Sequence, residues 1–391
     1  LKDLTAYKAL GFNTFLIMGA INTYISAVMP VIRKVLSLSY SDVGVIYAAN
    51  SIGFLTGALI SGLLIDSIGS KKPLLFSFLL FPIGALLFAL AQGTFSLFAG
   101  NLIIGFSISV MEISIPPISG RFRGKSGSLL NLIHAFFALG SMLSPFVASY
   151  FISRDLPYRA FFFVIAGYTC IPFFFSNILK IHMPERKKEE RKNALSGVGF
   201  TLKNKYFWLI CCAIFFYVGS EIGVFSWAPI YSTDKMQNSE ELSSLLPSMF
   251  WIGLLIGRFL SAKWVDKVGH LKWLMLVTLI GLPITFLAQN PVNSYLFLSI
   301  FISLSGFMHS SIFPTLQSLL VETIDKGLGF SLSLFSAFAS LGSLTAGFVI
   351  GKISSAFGIQ WGYLFPFFLF SGTFVMVLII TLLRKKEEGK A

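Results

Sequence analysis

Twelve stretches of about 20 mostly apolar residues run along this chain, and a helix of that length crosses the hydrocarbon layer of a bilayer. They fall at 9–32, 43–65, 73–91, 95–119, 128–152, 159–183, 206–231, 245–264, 273–290, 293–321, 328–351 and 361–383. Lipid supplies no hydrogen-bond partners, so a spanning backbone must satisfy itself, as a helix does. Composition agrees with that reading. The chain is 55% apolar and 12% charged, whereas a soluble domain carries about 25% charged residues. The expected fold is an all-α polytopic membrane protein with twelve transmembrane helices. The first residues run into span 1 without a small-residue cleavage site, so no cleaved leader is expected. Cys170, Cys211 and Cys212 lie inside spans and read as small apolar residues, with no disulfide or metal pattern.

The net charge of +13 could suggest nucleic acid, but its distribution points to topology. With the first residue inside, 24 of the 30 Lys and Arg fall on the cytoplasmic side. Arg33, Lys34, Arg154, Arg159, Lys235 and Lys352 make up the other side. That bias is the positive-inside rule. It places both termini in the cytoplasm, the chain in an inner membrane, and no nucleic acid among its partners.

The longest polar segment, 184–205, contains Glu185-Arg186-Lys187-Lys188-Glu189-Glu190-Arg191-Lys192. It reads as a basic cytoplasmic linker between six-helix membrane domains at 1–183 and 206–391. A repeat supports the division. Gly57-x3-Ser61-x4-Asp66-x2-Gly69-x2-Lys72 recurs as Gly257-x3-Ser261-x4-Asp266-x2-Gly269-x2-Lys272. Ala135-Phe136-x2-Leu139-Gly140-Ser141 recurs as Ala337-Phe338-x2-Leu341-Gly342-Ser343. Two echoes at nearly one offset predict two six-helix pseudo-repeats.

Gly62-x3-Asp66-x2-Gly69-x-Lys71-Lys72 resembles the loop signature of the major facilitator superfamily, with Ala262 replacing the first glycine in the second copy. The resemblance implies a transporter in which Asp66, Lys72, Asp266 and Lys272 latch helix ends on the cytoplasmic face.

An ionisable side chain inside a span costs roughly 2.5–3.5 kcal/mol at the helix centre, which makes it a functional candidate. Those well inside are Glu112, Glu221, His134 and His309. No Lys or Arg lies near the middle of a span; Arg258 is a turn or two from a cytoplasmic end. Anionic substrates want Arg or Lys, so organic phosphates and dicarboxylates are not expected. The amides Asn22, Asn50, Asn131 and Gln317, with Tyr217, Trp227 and Trp251, suit a neutral polyhydroxyl solute. A lone amide in a membrane helix also reads as interhelical glue.

Four segments carry a closer resemblance. They are Gly105-Phe106-x5-Glu112-x3-Pro116, Asn131-x2-His134-x-Phe136-Phe137-x2-Gly140, Gly306-Phe307-Met308-His309-x3-Phe313-Pro314-Thr315 and Tyr217-Val218-Gly219-Ser220-Glu221-x5-Trp227. Together they look like the fucose–galactose–glucose:cation symporter family. That likeness implies substrate contacts from Glu112 and Asn131; location inside spans 1, 4, 5, 7 and 10 adds Asn22, His134, Trp227, His309 and Gln317 as candidates around a cavity between the two halves. It also implies a part for Glu112 in coupling to a proton or sodium, and Glu221, an acid at mid-depth in span 7, is the other candidate for that coupling. The span 1 aspartate of the fucose permease branch is absent; Ser26 aligns there.

The expected function is symport of a hexose or related sugar by a monomer that needs no cofactor. The competing reading is a drug:proton antiporter of the same fold, whose span 5 signature Gly-x3-Gly-Pro is here Gly140-x3-Ser144-Pro145. An intramembrane enzyme is disfavoured, because the four buried ionisable residues come from four spans with no close metal spacing.

Overall fold

The computed structural model describes residues 2–115, 126–178, 198–261, 264–290, 293–324 and 328–388. Twelve helices among the described residues are long and apolar enough to cross a membrane. In chain order they are α1 (Lys2–Val35), α2 (Tyr40–Ile68), α3 (Lys71–Ala89), α4 (Thr94–Ser114), α5 (Ser126–Ser153) and α6 (Arg159–Ile178). Then come α7 (Lys205–Asp234), α8 (Glu240–Ser261), α9 (His270–Gln289), α10 (Tyr295–Thr323), α11 (Leu328–Phe357) and α12 (Ile359–Glu387).

Each falls on one of the twelve apolar stretches, and the differences lie at the ends. Helices α1 and α7 run several residues beyond 9–32 and 206–231 because a helix can continue past the hydrocarbon edge. Helix α8 starts at Glu240 rather than 245, where the Ser239 hydroxyl caps it by accepting from the Leu242 N–H at 3.2 Å. Ser39 and Asp42 form a capping box that opens α2. The expected ends of spans 4 and 6, at 119 and 183, and linker residues 184–197 lie outside the described residues.

Four spanning helices are interrupted: α6 at Thr169, α8 at Leu245, α10 at Ser310-Ser311 and α12 at Leu364. Each interruption is followed within four residues by a proline: Pro172, Pro247, Pro314 and Pro366. Proline has no N–H and fits the first turn of a helix, where that donor would be unused anyway. The helix therefore breaks ahead of the proline and resumes with it.

The chain forms two compact units, Leu1–Glu185 with Ser232–Ser248, and Arg186–Tyr231 with Met249–Ala391. Both use the same packing device. In the first, a Cβ added to Gly140 of α5 would run into the Leu16 carbonyl of α1. In the second, a Cβ on Gly342 of α11 would meet the Phe215 carbonyl of α7. With no water to exclude from between them, membrane helices gain from close backbone approach, which small residues permit. The duplicated Gly140 and Gly342 are thus the same contact made twice. Gly69 and Gly269, also paired in the repeat, have φ of 76° and 89°, a region glycine enters without a Cβ penalty.

Candidate functional site

In the first unit a chain of amides links three of the spans. Asn101 of α4, 2% exposed, donates through Nδ2 to the Ile46 carbonyl of α2 at 2.8 Å. Asn50 of α2 donates to Asn101 Oδ1 at 3.1 Å and lies 3.4 Å from Asn22 Oδ1 on α1. Three helices are therefore joined by one amide chain, and Asn22 ends it. Sequence reasoning named Asn22 and Asn50 and missed Asn101, although an amide inside an apolar run was a visible signal. Glu112 is half-buried near the end of α4. His134 is exposed on α5 and meets the Phe15 ring edge-on at 4.9 Å. Asn131 belongs to α5, but its side chain lies outside the described residues.

The second unit gathers a denser cluster around the interruption of α10. His309 is fully buried. Its Nδ1 lies 2.8 Å from the Ser305 carbonyl, which accepts only, so the proton belongs on Nδ1. Nε2, 3.2 Å from the Ser220 hydroxyl, then accepts from α7. The Tyr217 hydroxyl, one turn before Glu221 on α7, donates to the His309 carbonyl at 3.0 Å. The rings of Phe370 and Phe250 stand 4.6 and 5.7 Å from the imidazole. Glu221 is half-buried on α7, one turn after Tyr217.

Trp227 and Trp251 are buried, and Trp251 packs 5.7 Å from the Phe225 ring. Gln317 is exposed on the later part of α10 and stands outside this cluster. Sequence reasoning missed Arg258, whose Nε lies 3.4 Å from the Ser310 carbonyl of α10, because its Cα lies near the end of α8 and only the length of its side chain brings it there. Lys72 and Lys272 are exposed; the side chains of Asp66 and Asp266 lie outside the described residues.

A third feature had no counterpart in the sequence reading. Arg33, at the end of α1, pairs with Asp234 and stacks over the Tyr40 ring at 4.1 Å. Tyr40 also donates to Asp234 at 2.8 Å, and Lys34 pairs with Glu240 at 2.9 Å. These residues line a polar cavity of about 740 Å³ in the first unit.

The sequence profile of the Major Facilitator Superfamily matches residues 10–287 and 235–391, and the chain belongs to that superfamily of transporters. It is an integral membrane protein. It is 24% identical to a "Protein TsgA homolog" of Buchnera aphidicola subsp. Schizaphis graminum, over 97% of both chains. It is 23% identical to the glucose/mannose transporter GlcP of Bacillus subtilis, over 87% of this chain and 86% of that one. In fold it matches the nucleoside transporter NupG with a TM-score of 0.74 at 16% identity, over 97% of this chain and 99% of the other. It matches the superfamily transporter FucP with a TM-score of 0.67 at 18% identity, over 96% and 99%. The resemblance drawn from the four sequence segments agrees with these relatives.

Proposed function

We propose that the chain is a secondary active transporter of a neutral small solute, a hexose or related sugar, working by alternating access with cation symport. The observation that carries the reading is the chemistry of the polar groups inside the spans. The first unit offers the amides of Asn22 and Asn50, and the second offers hydroxyls, an imidazole and indoles. Such groups hydrogen-bond hydroxyls and cover a sugar ring's C–H faces. Likeness to a glucose/mannose transporter supports the same class.

In this reading Asn22, Glu112, Asn131, His134, Trp227, His309 and Gln317 serve the solute. Glu221 takes the coupling cation, proton or sodium, with Glu112 as the other candidate. Asp66 with Lys72, and Asp266 with Lys272, steady the cytoplasmic ends of the helices. The charge bias of the loops supports cytoplasmic termini and an inner-membrane location. Purified protein in proteoliposomes would be tested by counterflow of radiolabelled hexoses, with a nucleoside and a lipophilic cation dye as competing substrates. Hexose counterflow is expected. Transport of the dye alone would favour the antiporter reading instead.

A further inference from the structure

The close crossing of α2 and α4 carries two amides that its counterpart in the repeat does without. A Cβ added to Gly53 of α2 would run into the Leu102 carbonyl of α4, and one added to Gly105 into the Asn50 carbonyl. In the second unit, Gly253 stands in the same way against the Ser303 carbonyl, and Gly306 against that of Phe250. Asn50 therefore corresponds to Phe250. Asn101, four residues before Gly105, corresponds to Ile302, four before Gly306. Phe250 and Ile302 are both fully buried. The same crossing thus packs with a ring and a branched aliphatic chain in these places, so the backbone geometry does not call for amides. An amide in a membrane helix ordinarily joins helices, but here the glycines already seat the crossing in both units.

What the amides add is a direction. The Ile46 carbonyl accepts only, so the Asn101 group that meets it at 2.8 Å is the NH2. Asn101 Oδ1 is left to accept, and it receives Asn50 Nδ2 at 3.1 Å. The second proton of that NH2 goes to Asn22, 3.4 Å away, where only the oxygen can take it. One backbone carbonyl of α2 therefore sets the orientation of three side chains in turn. Among the described residues, the Asn22 NH2 and Asn50 Oδ1 are the groups that this chain leaves unclaimed. Asn22 and Asn50 are half-buried, whereas Asn101 is 2% exposed. The anchored end is out of reach, and the other end offers one donor and one acceptor.

Resting on the transport reading above, we propose that Asn101 is a positioning residue for solute selection. Through Asn50 it holds the Asn22 amide with its N–H toward the solute and leaves Asn50 Oδ1 as an acceptor. The ligand that fits is a polyhydroxyl solute with one hydroxyl read through its oxygen, by Asn22, and another through its hydrogen, by Asn50. A site built to hydrogen-bond a hydroxyl rejects the analogue that lacks it. An amide fixed in one sense also rejects the wrong polarity, whereas an amide free to turn over serves either sense and discriminates less.

Two measurements test this, the first without any solute. Thermal unfolding of purified protein in detergent compares Asn22→Asp with Asn50→Asp at neutral pH. Both residues are half-buried, so the cost of a charge inside a span burdens both. Asn22→Asp keeps the oxygen that accepts from Asn50 and should melt close to the wild type. Asn50→Asp turns both donated bonds into contacts between oxygens and should melt several degrees lower. Equal melting of the two, or the reverse order, would overturn the polarity of the chain.

The second is counterflow of radiolabelled glucose in proteoliposomes, or of galactose or mannose where glucose is not carried. Unlabelled deoxy and deoxyfluoro forms of the same sugar compete, one carbon at a time. Fluorine keeps a weak acceptor and loses the donor. In the wild type, one carbon should take the fluoro form several-fold better than the deoxy form, the mark of the Asn22 donor. Another should refuse both alike, the mark of the Asn50 acceptor. Asn101→Ile, which installs the repeat's own side chain, should fold and lose that several-fold preference. Asn22→Asp, which removes the donor itself, should lose it as well. A wild-type preference in either variant, even with a lowered melting temperature, would reduce the amides to glue and overturn the positioning role. Absence of counterflow with all three sugars would overturn the sugar reading alone, since the melting comparison still decides the polarity of the chain.

Discussion

The hydroxyl of Tyr217 on α7 donates to the backbone carbonyl of His309 on α10 at 3.0 Å, at the point where α10 is interrupted. A buried side chain here meets backbone polarity that lipid could not solvate. Replacing Tyr217 by Phe leaves that carbonyl with one partner fewer, at a cost on the order of 1–3 kcal/mol. Tyr217→Phe is therefore expected to melt several degrees lower in a detergent thermal scan and to lose uphill uptake more than counterflow. An unchanged melting temperature would show that the bond contributes nothing net.

The packing of α1 on α5 and of α7 on α11 gives a second expectation. Gly140 and Gly342 leave no room for a Cβ against the Leu16 and Phe215 carbonyls. Gly140→Val and Gly342→Val should each destabilise the protein by about 1–3 kcal/mol or more, as overpacking does. Parallel losses in folded yield by size-exclusion chromatography would support equivalent roles in the two units. One tolerant site would break the equivalence.

Solute binding is addressed by Asn22, at the end of the Asn101–Asn50 chain. If the sugar reading holds, Asn22→Ala and Glu112→Gln should each weaken binding of the solute by on the order of 1–3 kcal/mol, the penalty for a lost hydrogen-bond partner. Equilibrium binding to purified protein measures this. Wild-type affinity in both variants would remove these residues from the solute site.

Asp66 and Asp266 recur at one offset of the repeat. A carboxylate at a helix end can pair with a basic residue or cap a helix start. Asp66→Asn is expected to slow net uptake several-fold while leaving equilibrium binding nearly intact. Loss of binding with normal turnover of the remaining fraction would assign Asp66 to the solute site instead.

The charge cluster around Arg33 makes a salt-dependent prediction. The partners Arg33, Asp234 and Tyr40 are only part-buried, so screening should reach them. Asp234→Asn should change transport rate more at low than at high ionic strength. Equal effects at both would mean that packing, not charge, matters there.

Much of the architecture was readable in one dimension. A bilayer demands a fixed length of apolar residues in each span, so hydropathy alone located all twelve helices. The repeat was readable too, because close helix crossings require glycine itself, and Gly140 and Gly342 stayed in register. Helix ends were less legible. Hydropathy marks where hydrocarbon stops, while capping by Ser239 decides where α8 begins.

The candidate site was legible only as a set of unusual residues. Glu221 and His309 stood out because an ionisable group in hydrocarbon needs a reason to be there. The surroundings did not: Ser220 and the Ser305 carbonyl reach His309 from another helix and another turn, and Arg258 of α8 reaches the Ser310 carbonyl at the break of α10.

By itself, then, the sequence determined that this chain spans a membrane twelve times in duplicated halves, since span length and glycine at a crossing are local requirements. Only the tertiary structure decided which donors meet the break in α10. Pro314 announces that the Ser310 carbonyl is freed, but which side chain claims it depends on how α8 packs beside α10 and how far an arginine reaches.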